Sequence, residues 1–216
     1  MADKKRVILV SRTARDRRDP GRDAYAEVLR EIVPQSEHLV ASLDLANTPR
    51  RVVAALRDML SSYRPGAREE LVRAFRLFPS DGQDAMVTVG PVDFTSLCAH
   101  HVLPFTGRGW VGYVPGDSLI GLSKIPRVVE FYARMLQNQE RMARQVADFI
   151  YQKAEAKLVI VMLEAAHECM RCRGVRQRNT RMVTTAVRPA PDERDEAWRG
   201  IADEFYAQVG VLKGGP

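Results

Sequence analysis

Apolar positions recur at helical spacing up to about residue 85 and at strand spacing beyond it. Asp23 to Val33 reads as one helix. A second begins at Asn47-Thr48-Pro49-Arg50-Arg51, where Thr48 suits the N-cap and Pro49 the first helical position. Val52, Val53, Leu56, Met59 and Leu60 form its apolar stripe. Ser61 to Gly66 ends it, Arg68 to Leu77 reads as a short helix, and Pro79 to Asp84 is a polar linker around Gly82. Strands are then predicted at Val87-Thr88-Val89, Val92-Asp93-Phe94, Gly109 to Val114 and Leu119 to Leu122. Ser123 is expected to cap a long helical stretch whose apolar period persists to about Lys153. Leu158 to Leu163 is a continuous apolar run of strand length, and Met182 to Val187 is another strand. Asp192 to Val209 closes the chain as a polar helix with Trp198, Ile201, Phe205 and Val209 on one side. The order after residue 85 is strand, strand, helices, strand, strand. The expectation is an α+β protein with a mainly helical arm over 1–85, a central domain over 86–190 and a helical extension over 191–216.

Composition narrows the class. The 216 residues are 45% hydrophobic, which is ordinary for a globular chain, with no repeat and no low-complexity segment. No apolar run approaches a membrane span, and Val7-Ile8-Leu9-Val10 is too short for a signal-peptide core. The three cysteines are an odd number, which argues against a disulfide framework and for a soluble protein of a reducing, cytoplasmic compartment. The formal charge of +6 favours anionic partners. The basic residues are scattered, apart from the dense run Arg12 to Arg18, and do not interleave with aromatics, so nucleic acid is disfavoured as a partner.

Chemistry concentrates in two short segments. Cys98-Ala99-His100-His101 and His167-Glu168-Cys169-Met170-Arg171-Cys172 hold all three cysteines and three of the four histidines. Thiolate and imidazole are the ligands of a borderline-soft cation such as zinc, and a zinc with three protein ligands and one open position activates water. Cys98 and His101 can face one ion from a tight turn, with His100 left for substrate. Periodicity does not decide between the two histidines, since Cys98 and His100 share a face in an extended strand. Cys169 and Cys172 have knuckle spacing, so a closed structural site of Cys98, His101, Cys169 and Cys172 stays open as an alternative.

Two further stretches bear on an anionic substrate. Gly121-Leu122-Ser123-Lys124-Ile125-Pro126-Arg127 sets a hydroxyl, an ammonium and a guanidinium at a helix start, where free N–H groups favour an anion. No Walker loop is present. Gln137-Asn138-Gln139-Glu140 interrupts the apolar stripe of the long helical stretch. A solvated face is the usual reason. A carboxylate beside an amide would alternatively match the N–H edge of guanine. Arg171, Arg173, Arg176 and Arg178 add positive charge after the second cluster.

Together these segments resemble the GTP cyclohydrolase I family. Ser96 to Phe105, Gly121 to Lys124, Gln137 to Arg141, His167 to Met170 with Arg173-Gly174-Val175, and Thr48 to Val52 occur in the family's order. The resemblance implies a tunnelling fold of strand-strand-helix-helix-strand-strand, with the long helical stretch broken near Gln137, assembled as a toroidal homodecamer with sites at subunit interfaces. It implies Cys98, His101 and Cys169 as zinc ligands and His100 and His167 as an acid–base pair. Glu140, with Gln139, would hold guanine. Ser123, Lys124, Arg127, Arg173 and Arg51 would hold the triphosphate, Arg51 from a neighbouring subunit. The implied reaction is hydrolysis of GTP at C8 to 7,8-dihydroneopterin triphosphate and formate. Ala99 stands where the family usually has Glu, and Cys172 where it is usually apolar. The competing readings are a homologue that binds nucleotide and zinc without turnover, and a basic zinc module that binds nucleic acid.

Overall fold

The computed structural model describes residues 19–33, 47–189 and 196–213. The Arg12 to Arg18 run, the first residues of the helix expected from Asp192 and the Trp198 side chain lie outside them. The chain divides into two units between Asp58 and Met59.

In the first unit, α1 spans Pro20–Ile32 and α2 spans Thr48–Met59, its last residue falling at the boundary. Asp19 caps α1, its Oδ1 accepting from the Gly21 and Arg22 amides at 3.2 and 3.4 Å, and it also pairs with Arg57 at 2.9 Å. Pro20 follows at N1, where its missing N–H costs nothing. Thr48 was expected to cap α2. It is instead the first helical residue, because the first helical bond runs from the Arg51 amide to the Asn47 carbonyl.

In the second unit a 3₁₀ turn at Ser61–Tyr63 leads to α3 (Ala67–Ala74). The helix expected to reach Leu77 stops three residues earlier, and Leu77–Pro79 forms a strand, β1. It pairs antiparallel with β4 (Ser118–Ile120); β1 is exposed along its length, whereas Ile120 of β4 is buried. The main sheet contains β2 (Val87–Cys98), β3 (Pro104–Val114), β5 (Leu136–Gln137), β6 (Leu158–His167) and β7 (Met182–Arg188). Its order is β5-β2-β3-β6-β7, antiparallel except for the β2–β5 pair. The remaining elements are α4 (Lys124–Ala133), α5 (Gln139–Ala154), the single turn α6 (Glu168–Arg171) and α7 (Glu196–Lys213).

The apolar run at the start of β6 lacks alternation because both faces of that strand are covered. Val159, Val161, Leu163 and Ala165 belong to the core shared with α4 and α5. Ile160 and Met162 belong to a second core with Met86, Trp110 and, from α7, Phe205 and Val209. Gly112 permits that second layer: a Cβ there would lie 2.5 Å from the Phe205 ring. Phe205 is fully buried, which stabilises the docked helix by about 1.5–3 kcal/mol.

The long helical stretch is two helices. The run Gln137 to Glu140 alternates buried and exposed, a strand period rather than a helix face. Gln137 pairs with Cys98 across β5 and β2, and the Asn138 side chain caps α5 by accepting from the Arg141 amide at 2.9 Å. Among the described residues no helix is long and apolar enough to cross a membrane.

Candidate metal and substrate site

Cys98 ends β2, and the chain reverses over residues 99–103 into β3. The Cys98 amide donates to the Leu103 carbonyl and the Val102 amide to the Cys98 carbonyl, each at 2.8 Å. The turn forces Val102 to a φ of 51°, a conformation that a β-branched residue adopts only under constraint. The constraint carries His101 back over Cys98, with Nδ1 3.6 Å from Sγ. Cys169, on α6 immediately after β6, completes a group of three ligand atoms all within 4.8 Å of one another. Tetrahedral zinc with ordinary bond lengths sets sulfur and nitrogen ligands about 3.5 Å apart, so this donor set fits such an ion.

His100 Nδ1 is also near Cys98 Sγ, at 3.9 Å, but His100 is outside that group, and so is the exposed Cys172. Two sulfurs and one imidazole therefore converge, and the four-ligand alternative has no support in the geometry. Burial, followed by the adjacent Cys98 thiol, pushes the Cys169 thiol up, while the charge of Arg173 opposes the shift. A bound cation would reverse the balance by favouring both thiolates.

His167 continues the helix-facing set of β6, two residues beyond Ala165. Its ring stacks on Phe105, its partner across β3 and β6, with centroids 4.6 Å apart and planes 2° from parallel. Its Nε2 lies 2.9 Å from Gln139 Oε1. Burial holds the imidazole below the usual histidine range, and the nearby Glu140 charge pulls it back. Glu140 itself is exposed in the first turn of α5.

Gln139 is fully buried, and its amide is engaged within the protein at both ends. Ser123 stands at the N-cap of α4 without a side-chain capping bond and is exposed, with Lys124 beginning the helix. Arg127 lines a cavity of about 590 Å³ with Arg64, Glu70, Glu130 and Arg134, none of them a metal-cluster residue. Arg173 is exposed on the loop after α6, close enough for its charge to reach Cys169. Arg51 lies on α2 in the other unit.

Sequence reasoning overlooked Phe105 as the platform for His167 and Arg141 as the clamp on β5. Arg141 donates from Nε to Gln137 Oε1 at 2.8 Å and bonds the Leu136 carbonyl, holding the strand whose Gln137 carbonyl accepts from the Ala99 amide. The departure of the polar run from helical periodicity was the available signal for both Gln137 and Arg141.

The sequence model of GTP cyclohydrolase I matches residues 25–203. The chain belongs to the GTP cyclohydrolase I family. Among its relatives, the GTP cyclohydrolase 1 of Campylobacter jejuni subsp. doylei is 40% identical over 169 residues, 78% of this chain and 85% of that protein. That of Methylococcus capsulatus is 44% identical over 143 residues, 66% of this chain and 76% of that protein. A solved structure titled as the archaeosine synthase QueF-Like in the apo form aligns with a TM-score of 0.40 at 11% identity, over 51% of this chain and 97% of that one. Within the GTP cyclohydrolase I family, the Cys98, His101 and Cys169 group is a candidate metal centre contributed by the end of β2, the turn that follows it and the single turn α6.

Proposed function

We propose that the protein is a zinc-dependent GTP cyclohydrolase I of the cytoplasm, hydrolysing the guanine imidazole ring of GTP at C8 and rearranging the product to 7,8-dihydroneopterin triphosphate with release of formate. The observation that carries this reading is the convergence of two thiols and one imidazole beside the end of β6, which bears His167. The donor set is soft enough for zinc and numbers three, which leaves a position for water. Zinc held by Cys98, His101 and Cys169 would supply Lewis acidity and an acidified water.

The chain's own residues do the rest. His100 and His167 take and return protons at the nitrogens of the opening ring. The Glu140 carboxylate accepts from the N1–H and 2-amino groups of guanine, which selects guanine against adenine. Gln139 supports that edge of the site from beneath. Ser123, Lys124 and Arg127 at the start of α4, with Arg173 and Arg51, hold the triphosphate through charge-assisted bonds. Binding energy from the phosphates then orients the base against the water. Residues 86–190 carry the chemistry on a tunnelling fold, with 1–85 as a helical arm and 191–216 as an extension. Arg51 reaches the site from a neighbouring subunit of a toroidal homodecamer.

Calorimetry with GTP, guanosine and ATP tests the substrate assignment. GTP should bind far more tightly than either of the others, and Lys124→Ala or Arg173→Ala should erode its advantage over guanosine. Equal affinity for GTP and guanosine would remove the triphosphate site and with it the substrate.

A further inference from the structure

The Gln139 amide is oriented by the sheet beneath it. Its Nε2 donates to the Leu163 carbonyl of β6 and the Met182 carbonyl of β7, each at 3.0 Å, and lies 3.2 Å from Thr184 Oγ1. Both carbonyls are acceptors only, so a flipped amide would set oxygen against oxygen twice. Oε1 is therefore the end that meets His167, 2.9 Å from its Nε2. An amide oxygen cannot donate, so the hydrogen of that bond belongs to the histidine.

We infer that Gln139 is a positioning residue that locks His167 in the Nε2–H tautomer and leaves Nδ1 as the nitrogen that accepts protons during turnover. Two constraints act on one ring. The stack on Phe105 fixes its plane, and the Gln139 bond fixes its rotation within that plane. The amide is wholly buried, so it acts on the substrate through His167 rather than by touching the base. Second-layer partners of this kind set which imidazole nitrogen is available for chemistry. The inference rests on His167 being one of the acid–base pair.

The test uses the zinc-loaded protein. With ¹⁵N-labelled histidine, only four imidazoles contribute, and comparison with His167→Ala identifies the signals of His167. Neutral His167 should show a protonated Nε2 and a bare Nδ1. The opposite tautomer would overturn the inference without reference to any Gln139 variant. Gln139→Met removes the acceptor at nearly constant volume and should lower kcat about tenfold or more while the Kd for GTP stays within about twofold. In a His167→Ala background, Gln139→Met should cost no further kcat, because the two residues act as one unit. Additive losses would overturn the positioning role alone. His167→Ala turning over like the parent would overturn the acid–base reading, and the positioning role with it.

Discussion

Phe105→Leu separates what the core needs from what the site needs. Phe105 is completely buried, stacked under His167 and edge-on to Phe94, with centroids 6.0 Å apart and planes at 78°. Leucine keeps the position apolar but loses both ring contacts. Each such contact is worth about 0.5–1.5 kcal/mol beyond area burial, so unfolding free energy should fall by about 1–3 kcal/mol. About 1 kcal/mol of that belongs to the His167 stack, and its loss frees the ring to rock about its one remaining bond, to Gln139. A tenfold rate change corresponds to about 1.4 kcal/mol, so kcat should fall up to about tenfold. The Kd for GTP should not change, since a fully buried ring touches no substrate. Urea unfolding gives the first quantity, and steady-state turnover with calorimetry gives the others. A variant with the expected stability loss but parental kcat would show that Phe105 serves only the core.

Three more outcomes follow from the same geometry. Cys98→Ala and Cys169→Ala should each lose bound zinc and activity, while Cys172→Ala keeps both; metal analysis of the purified variants checks this, and zinc loss from Cys172→Ala would revive the four-ligand site. Glu140→Gln turns an acceptor toward guanine into a mismatched amide, at a cost of about 1–3 kcal/mol, so kcat/KM for GTP should drop roughly 5- to 150-fold with little change in unfolding because the side chain is exposed. His167 is held low by burial, so its neutral form is favoured in the folded metal-free protein. That stability is whole above the unfolded-state value of about 6.5 and is lost as pH falls through the lower folded value. Urea midpoints of the metal-free protein should therefore decline more steeply in mild acid than those of His167→Gln, and parallel declines would contradict the assignment.

The cores were legible where one period dominates. The stripes of α2 and α4 and the alternating sheet residues follow from spacing alone. The β6 run was legible as a strand, but its cover on both faces, with α7 as the second, needed the packing. The helix break at Gln137 was hidden because apolar residues on α4 and α5 continue a compatible period across a two-residue strand. The family resemblance implied the break, and the buried glutamines at 137 and 139 explain it through their hydrogen bonds, since polar residues in a helix ordinarily face water. β1 was missed because its side chains are exposed and its pairing with β4 leaves no apolar alternation. At the site, donor types and spacing pointed to a metal; periodicity left His100 and His101 open, the resemblance implied His101, and the turn at Val102 gives the physical reason. The role of Gln139 was not readable from residue type, because an amide toward guanine and an amide toward histidine look the same in a sequence.

The most direct measurement is formate release from GTP by the zinc-loaded protein, beside the metal-free protein and Cys169→Ala. The account predicts one formate per GTP consumed, in the zinc-loaded protein only, with activity returning when zinc is restored to the metal-free sample. GTP bound by the zinc-loaded protein without formate release, or formate released equally with and without zinc, would contradict it.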